Sequence, residues 1–181
     1  MEAFERVRLP GEQLLWEGRP YTGLMFRPID IFLVPFSLVW AGFPASMLFQ
    51  DGLAEVPGPA VMISGLFLVI GVYATVGRFL LDIAIRRTLR YAVTNKRVLI
   101  LRGKSGLRSV TINALPMLDL HERSDGSGTL RFGSGGGLLQ GGNFAVWQPT
   151  FDSVPQFLRI PNARAVYELI DRVGRGEAAA G

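Results

Sequence analysis

Two long uncharged runs constrain the fold of this chain more than any other feature. They cover Ile31–Gln50 and Val56–Gly77, and neither contains an acidic or basic side chain. A helix rises about 1.5 Å per residue and the hydrocarbon core of a bilayer is about 30 Å thick, so each run is long enough to cross it. The alternative, two buried helices of a soluble domain, is disfavoured because so short a chain could not cover both helices on every side. The runs therefore predict two transmembrane helices.

Basic residues set the orientation of the predicted hairpin. The segment between the runs contains no lysine or arginine, whereas arginines cluster on both outer flanks. Because lysine and arginine next to a span favour the cytoplasmic side, both termini are expected in the cytoplasm. We predict a cytoplasmic segment at residues 1–28 and a hairpin at 29–85, with spans at about 31–50 and 58–80 and an outward loop at 51–57.

Small residues mark one face of the second run. Gly71 and Thr75 lie four residues apart with Ala74 between them, a spacing that lets another helix come close. Two interpretations stay open: this face packs on the first helix of the hairpin, or it receives a helix from another protein.

Two prolines, Pro35 and Pro44, interrupt the first run, and each removes one helical N–H. Neither run contains an acidic, basic or histidine residue, which argues against a proton relay or an ion pathway.

After residue 88 the hydrophobic pattern changes from helical to alternating. Short alternating segments separated by turn residues predict antiparallel strands at 89–94, 97–102, 107–112, 118–123, 129–132 and 157–160, with a further candidate at 144–147. Short strands of this kind are typical of an antiparallel sandwich or small barrel. Six glycines within Gly133–Gly142 predict a loop rather than core, either mobile or ordered against a partner.

A C-terminal helix is predicted over 162–173, because Pro161 and Asn162 supply start signals and an apolar stripe follows. Val166, Leu169 and Ile170 of this stripe are expected to cover one open end of the strands. The fold class is therefore a membrane α-helical hairpin plus an α+β cytoplasmic domain at 86–175, followed by a disordered tail at 176–181.

The residue inventory excludes several chemistries. The chain has no cysteine and one histidine, so thiol catalysis, iron–sulfur clusters and multi-histidine metal sites are not expected. That histidine, His121, shares a strand face with Asp119, but no Gly-x-Ser-x-Gly elbow supplies a nucleophile. We predict no catalytic residue, no cofactor and no metal.

The chain as a whole is basic, with a formal net charge of +4. Arg86, Arg87 and Arg90 follow the second span and are candidate contacts for anionic lipid head groups, although they also serve as topology determinants. Nucleic acid is not a predicted partner, because no recognition motif accompanies the basic residues.

Several segments resemble the bacterial PH-domain membrane proteins. They are the opening phrase Pro10–Pro20, the strand pair Arg90–Ile100, Gly103, the hairpin 126–132 and the tail 157–169. The resemblance implies a PH-like antiparallel β-barrel or sandwich with a C-terminal capping helix, in a multi-pass protein of the bacterial cytoplasmic (inner) membrane. More distantly, the opening phrase and the Thr-Asn-Lys-Arg-Val pair are similar to those of a photosynthetic-complex assembly protein.

Three functional hypotheses follow. The preferred one is a non-catalytic accessory or assembly subunit that docks on other membrane protein subunits, with Trp16, Gly71 and Thr75 as candidate interaction residues. The second is a membrane-surface sensor or scaffold for anionic lipid, and the third is a membrane enzyme that uses Asp119 and His121. Association with further copies of the chain stays open.

Overall fold

The structure, a computed structural model, describes residues 2–50, 57–103, 106–114, 117–133 and 154–177. The described residues fall into two compact units, a helical unit at 23–83 and an α+β unit built from 1–22 and 84–181. The predicted outward loop at 51–56, the strand at 144–147, the glycine loop beyond Gly133 and the tail beyond residue 177 lie outside the described residues.

The helical unit contains the two uncharged runs. Helix α2 covers Asp30–Gln50 and continues through both of its prolines. Helix α3 covers Gly58–Val72, with a proline in its first turn, where a missing N–H costs nothing. A π-helical turn at Tyr73–Gly77 joins it to helix α4 at Arg78–Thr88. Two helices are therefore long and apolar enough to span a membrane, as predicted from the sequence.

The α+β unit contains two antiparallel sheets. The first has the strand order β1 (Leu14–Gly18), β2 (Leu89–Thr94), β3 (Arg97–Arg102) and β4 (Gly106–Thr111). The second has the order β5 (Leu118–Glu122), β6 (Gly128–Phe132) and β7 (Gln156–Ile160). A 3₁₀ turn at Ile112–Ala114 follows β4, and a short helix α1 at Glu2–Glu5 and a longer helix α5 at Ala163–Gly174 complete the unit.

Both sheets contribute to one aromatic core. The Phe157 ring of β7 is fully buried and stacks on Tyr91 of β2, with 4.5 Å between ring centroids. Phe132 of β6 meets the same ring edge-on at 4.9 Å. Helix α5 adds a buried stripe that includes Val166 and Ile170, since residues four apart lie on one helix face. The predicted C-terminal helix is therefore present at Ala163–Gly174, and its apolar stripe packs against the core.

The N-terminal segment covers the opposite face of the first sheet. Phe4 of α1 is fully buried against Ala92, Leu99 and Leu101. These three side chains alternate with the inward-facing ones on β2 and β3, because successive residues of a strand point to opposite faces. Strands β2 and β3 are therefore largely buried on both sides, and their second cover comes from the N-terminal segment.

The structure corrects one prediction about this unit and adds one strand to it. The described strands form two separate sheets and no closed barrel, so the sandwich alternative describes them better. Strand β1 was not predicted, and residues 1–22 belong to the same compact unit as the later strands. In chain order, the helical hairpin is thus inserted between the neighbouring strands β1 and β2.

Candidate functional site

The small-residue face of the hairpin is occupied by the hairpin itself. A Cβ atom built on Gly71 would collide with the Cβ atom of Ala41. The Thr75 hydroxyl lies 2.8 Å from the Ser37 hydroxyl and donates to the Gly71 carbonyl at 2.7 Å. These contacts support the intramolecular interpretation of Gly71 and Thr75, because both residues are already used where α2 meets the second helix.

A buried ion pair closes one end of the same unit. Arg78 Nη2 lies 2.8 Å from Asp30 Oδ1, and the two side chains are only 3% and 5% exposed. Asp30 Oδ2 also accepts the backbone N–H of Arg27 at 2.7 Å, and the Arg78 guanidinium lies over the Phe79 ring. Two opposite charges at this depth stabilise each other, and removing one would leave the other buried without its partner.

Large apolar side chains point outward from both helices of the hairpin. An open groove of about 520 Å³ lies between α2 and α3. Its lining includes Trp40, Phe43 and Met47 from α2 and Ile63 and Phe67 from α3. The Trp40 and Phe67 rings stack with centroids 5.1 Å apart and form the floor between the helices. An apolar groove of this kind accepts apolar side chains or acyl chains.

The three candidate head-group arginines differ in exposure. Arg86 is 1% exposed, and its guanidinium donates to the Tyr21 carbonyl within the α+β unit. This burial argues against Arg86 as a head-group contact. Arg90 is partly exposed, with its Nη1 atom 3.7 Å from Glu17 Oε1. Arg87 is the most exposed of the three.

Trp16 contacts the core of its own unit. Its ring centroid lies 5.6 Å from that of Phe157. Gly18 permits this position, because a Cβ atom there would collide with the Trp16 ring. Trp16 of β1 therefore packs against the core of the α+β unit. This packing explains the tryptophan in the opening phrase without docking on a neighbouring protein.

Asp119 and His121 lie on β5, opposite Arg131 and Thr129 of β6. His121 is exposed and Asp119 is half-buried. Among the described residues, no group of three histidine, cysteine or acidic side chains is placed to hold a metal ion. The third hypothesis thus gains no additional support from the surroundings of these two residues.

Sequence reasoning missed the ion pair between Asp30 and Arg78, although a signal was present. Asp30 is the last charge before the first uncharged run, and Arg78 is the first charge after the second. An antiparallel hairpin brings these two positions to the same end. The groove at Trp40 had no such signal, because both runs are apolar on every side.

Comparisons with protein-family models, with curated proteins and with solved structures gave no match to this chain. The resemblance to the bacterial PH-domain membrane proteins therefore stays a prediction, and the function has to be argued from the geometry of the two units.

Proposed function

We propose that this protein is a non-catalytic accessory or assembly subunit of a larger membrane protein complex. Its hairpin would bind a transmembrane helix of a partner in the groove between α2 and α3, and its α+β unit would present a further interaction surface. The observation that carries the proposal is the groove with its stacked Trp40–Phe67 floor, which is open and apolar.

The exposed aromatic side chains of the groove support a helix as the occupant. Phe43 and Trp40, which both line the groove, are 69% and 46% exposed. A third helix packed in the groove would bury this contact area, and close side-chain packing is what drives association of helices in lipid.

We further propose a PH-like fold for the α+β unit, with the hairpin inserted between β1 and β2. The strand order in two sheets of four and three, followed by a C-terminal helix, supports it. We also propose that the protein lies in the bacterial cytoplasmic membrane. Both termini would then be on the cytoplasmic side, because the segment between the spans contains no lysine or arginine.

The docking proposal can be tested by photo-crosslinking in native membranes. We expect p-benzoylphenylalanine in place of Phe43 to form an adduct with one other membrane protein, because this position lines the groove. The same probe in place of Phe32, which is 77% exposed on the same helix but does not line the groove, serves as the matched control. Trp40→Ala should weaken the adduct at position 43, since it removes half of the aromatic floor.

Three outcomes would contradict the docking proposal. Adducts at position 43 that contain only lipid would mean that acyl chains fill the groove. Adducts that contain only a second copy of this chain would indicate a homo-oligomer instead of an accessory subunit. Equal yields at positions 43 and 32 would show that the groove has no preference for a partner.

A second candidate function is recognition of anionic lipid through Arg87 and, less directly, Arg90. The exposure of Arg87 at the end of α4 favours it. In nanodiscs, hydrogen-exchange protection near Arg87 should rise with anionic lipid content and fall with added salt, because salt screens charges that face water. Arg87→Gln should remove the effect, whereas Arg172→Gln on α5 should not; indifference to lipid and salt would eliminate this function.

A further inference from the structure

A polar cleft lies within the α+β unit. It measures about 320 Å³ and is lined by the segment after β1, the β5–β6 turn and the end of β7. Its charged groups are Arg19, Arg159 and Asp125, and Ser127 and Thr22 add hydroxyl groups. A small cleft that gathers both signs of charge differs from the apolar groove of the hairpin in the ligand it can accept.

An irregularity in β7 places Arg159 in this cleft. Between Gly128 and Leu130 of β6, the paired residues of β7 advance from Ile160 to Phe157, so β7 carries one extra residue. Strict alternation from the buried Phe157 would turn Arg159 towards the core; instead Arg159 has a φ of 40° and its side chain leaves the core. A non-glycine residue in this region is uncommon, and bulges often re-aim a side chain at a binding site.

The surroundings hold the Arg159 guanidinium in position. It lies over the Tyr21 ring at 4.3 Å, and the Tyr21 N–H donates to the Arg159 carbonyl at 3.0 Å. Its Nη2 and Nε atoms reach Asp125 and Ser127 at 3.3 and 3.4 Å. Both distances are long for hydrogen bonds to a guanidinium, so the group is oriented while an incoming anion can still compete for its N–H donors.

Arg19 supplies a second cation to the cleft. It is exposed and makes no hydrogen bond or ion pair with another described residue. Asp125 stays ionised: its Oδ1 atom accepts the Ser127 hydroxyl at 2.6 Å and the Ser127 N–H at 2.9 Å. These bonds, with the Arg159 guanidinium, lower the pKa of the Asp125 carboxyl to about 2.

We propose that this cleft binds a phosphate ester that carries a primary ammonium group, of the phosphoethanolamine type, either free or as a lipid head group. Arg19 and Arg159 bind the phosphate, because planar guanidinium groups match its oxygens in bidentate geometry. Asp125 accepts the ammonium N–H groups. The inference does not depend on the proposed docking of the hairpin, since it uses only residues of the α+β unit.

The proposal is tested by isothermal titration calorimetry, which measures the affinity of the purified full-length protein for O-phosphoethanolamine. We expect saturable binding that Arg19→Gln weakens by about tenfold or more, as for loss of a charge-assisted bond. Phosphocholine should bind more weakly than phosphoethanolamine, because its quaternary ammonium has no N–H for Asp125. Asp125→Asn should remove this preference and leave binding of inorganic phosphate in place.

Arg123→Gln is the matched control, because it removes the same charge from the β5–β6 hairpin at an exposed position outside the cleft. Absence of binding to the unmodified protein, equal binding by the Arg19 and Arg123 variants, or equal affinity for phosphocholine would overturn the proposal. Arg19 is the primary test, since no fold contact depends on it. Competition by nanodiscs containing phosphatidylethanolamine would assign the head group to a lipid, and binding without competition would assign it to a soluble ester.

Discussion

The two units of this protein distribute polar and apolar side chains in opposite ways. In the hairpin, the charged pair Asp30 and Arg78 is buried, while Phe49 and Met62 are 89% and 78% exposed. In the α+β unit, Tyr91 is fully buried and most charges face water. Each arrangement suits a different solvent, since a bilayer favours exposed apolar side chains and water favours exposed polar side chains. The mean hydropathy of +0.28 describes neither unit.

The largest effect is expected where a charge enters the core of the α+β unit. Ile170 is 1% exposed, so Ile170→Glu would bury an unpaired carboxylate and cost more than about 4 kcal/mol of unfolding free energy. Leu169→Glu should cost less, because Leu169 packs against the core but is only half-buried. Near-UV circular dichroism during thermal unfolding measures the loss of stability in both variants.

Ala165→Glu on the exposed face of α5 controls for the added charge. Protease protection of the hairpin in membranes should be unchanged in all three variants, since the two units bury separate sets of residues. Equal stability of the Ile170 and Ala165 variants would contradict the assigned core.

The next largest effect is expected at the buried ion pair of the hairpin. Asp30→Asn leaves the Arg78 guanidinium buried beside a neutral amide, and we expect a loss of about 3–5 kcal/mol. The double variant Asp30→Leu/Arg78→Met should recover most of this loss, because it removes both charges and fills the space. Unfolding in mixed micelles with increasing dodecyl sulfate gives the comparison, and a double variant as unstable as Asp30→Asn would refute the pairing.

A third prediction concerns the buried charge pair that the α+β unit does contain. Arg97 donates to both carboxylate oxygens of Glu12, through Nε at 2.8 Å and Nη2 at 3.0 Å. Burial raises the pKa of Glu12, but the bonds from Arg97, the Leu9 N–H and Thr94 outweigh it and lower the pKa from 4.5 to about 2. At neutral pH, Glu12→Gln should therefore cost about 2 kcal/mol.

This cost must depend on pH with a defined sign. A lowered folded pKa stabilises the protein above the unfolded value of 4.5, and the gain is lost as the pH falls towards 2. Urea unfolding of the unmodified and Glu12→Gln proteins should converge over this range. A difference that stays constant down to pH 2 would mean that the ionised carboxyl is not the stabilising group.

Local patterns predicted the elements well and the long-range pairings poorly. Alternation located β2 and β3 at their observed bounds, and the uncharged runs located the helices. Strand β1 was missed because Leu14–Gly18 is short and pairs with a strand on the far side of the inserted hairpin. Strand pairing of this kind depends on neighbours and not on intrinsic propensity.

The site residues show the same limit. Arg86 is a basic residue just after the second span, as expected of a head-group contact, but tertiary packing buries it against the Tyr21 carbonyl. Arg159 had no sequence signal at all, since its position in the cleft depends on one extra residue in β7. Sequence patterns report the periodicity of one element, whereas both outcomes depend on contacts between elements.

The smallest effect is expected at an exposed ion pair, and it completes the comparison with Asp30 and Arg78. Arg164 of α5 places Nη2 2.6 Å from Glu122 Oε2, a shorter separation than in the buried pair, yet Arg164 is 68% exposed. Water and salt screen such a pair, so Arg164→Gln should change the unfolding free energy by less than any of the preceding variants. Urea unfolding at low and high salt measures this change. If Arg164→Gln proved as costly as Asp30→Asn, the distance between the charges, and not their burial, would determine the strength of ion pairs in this protein.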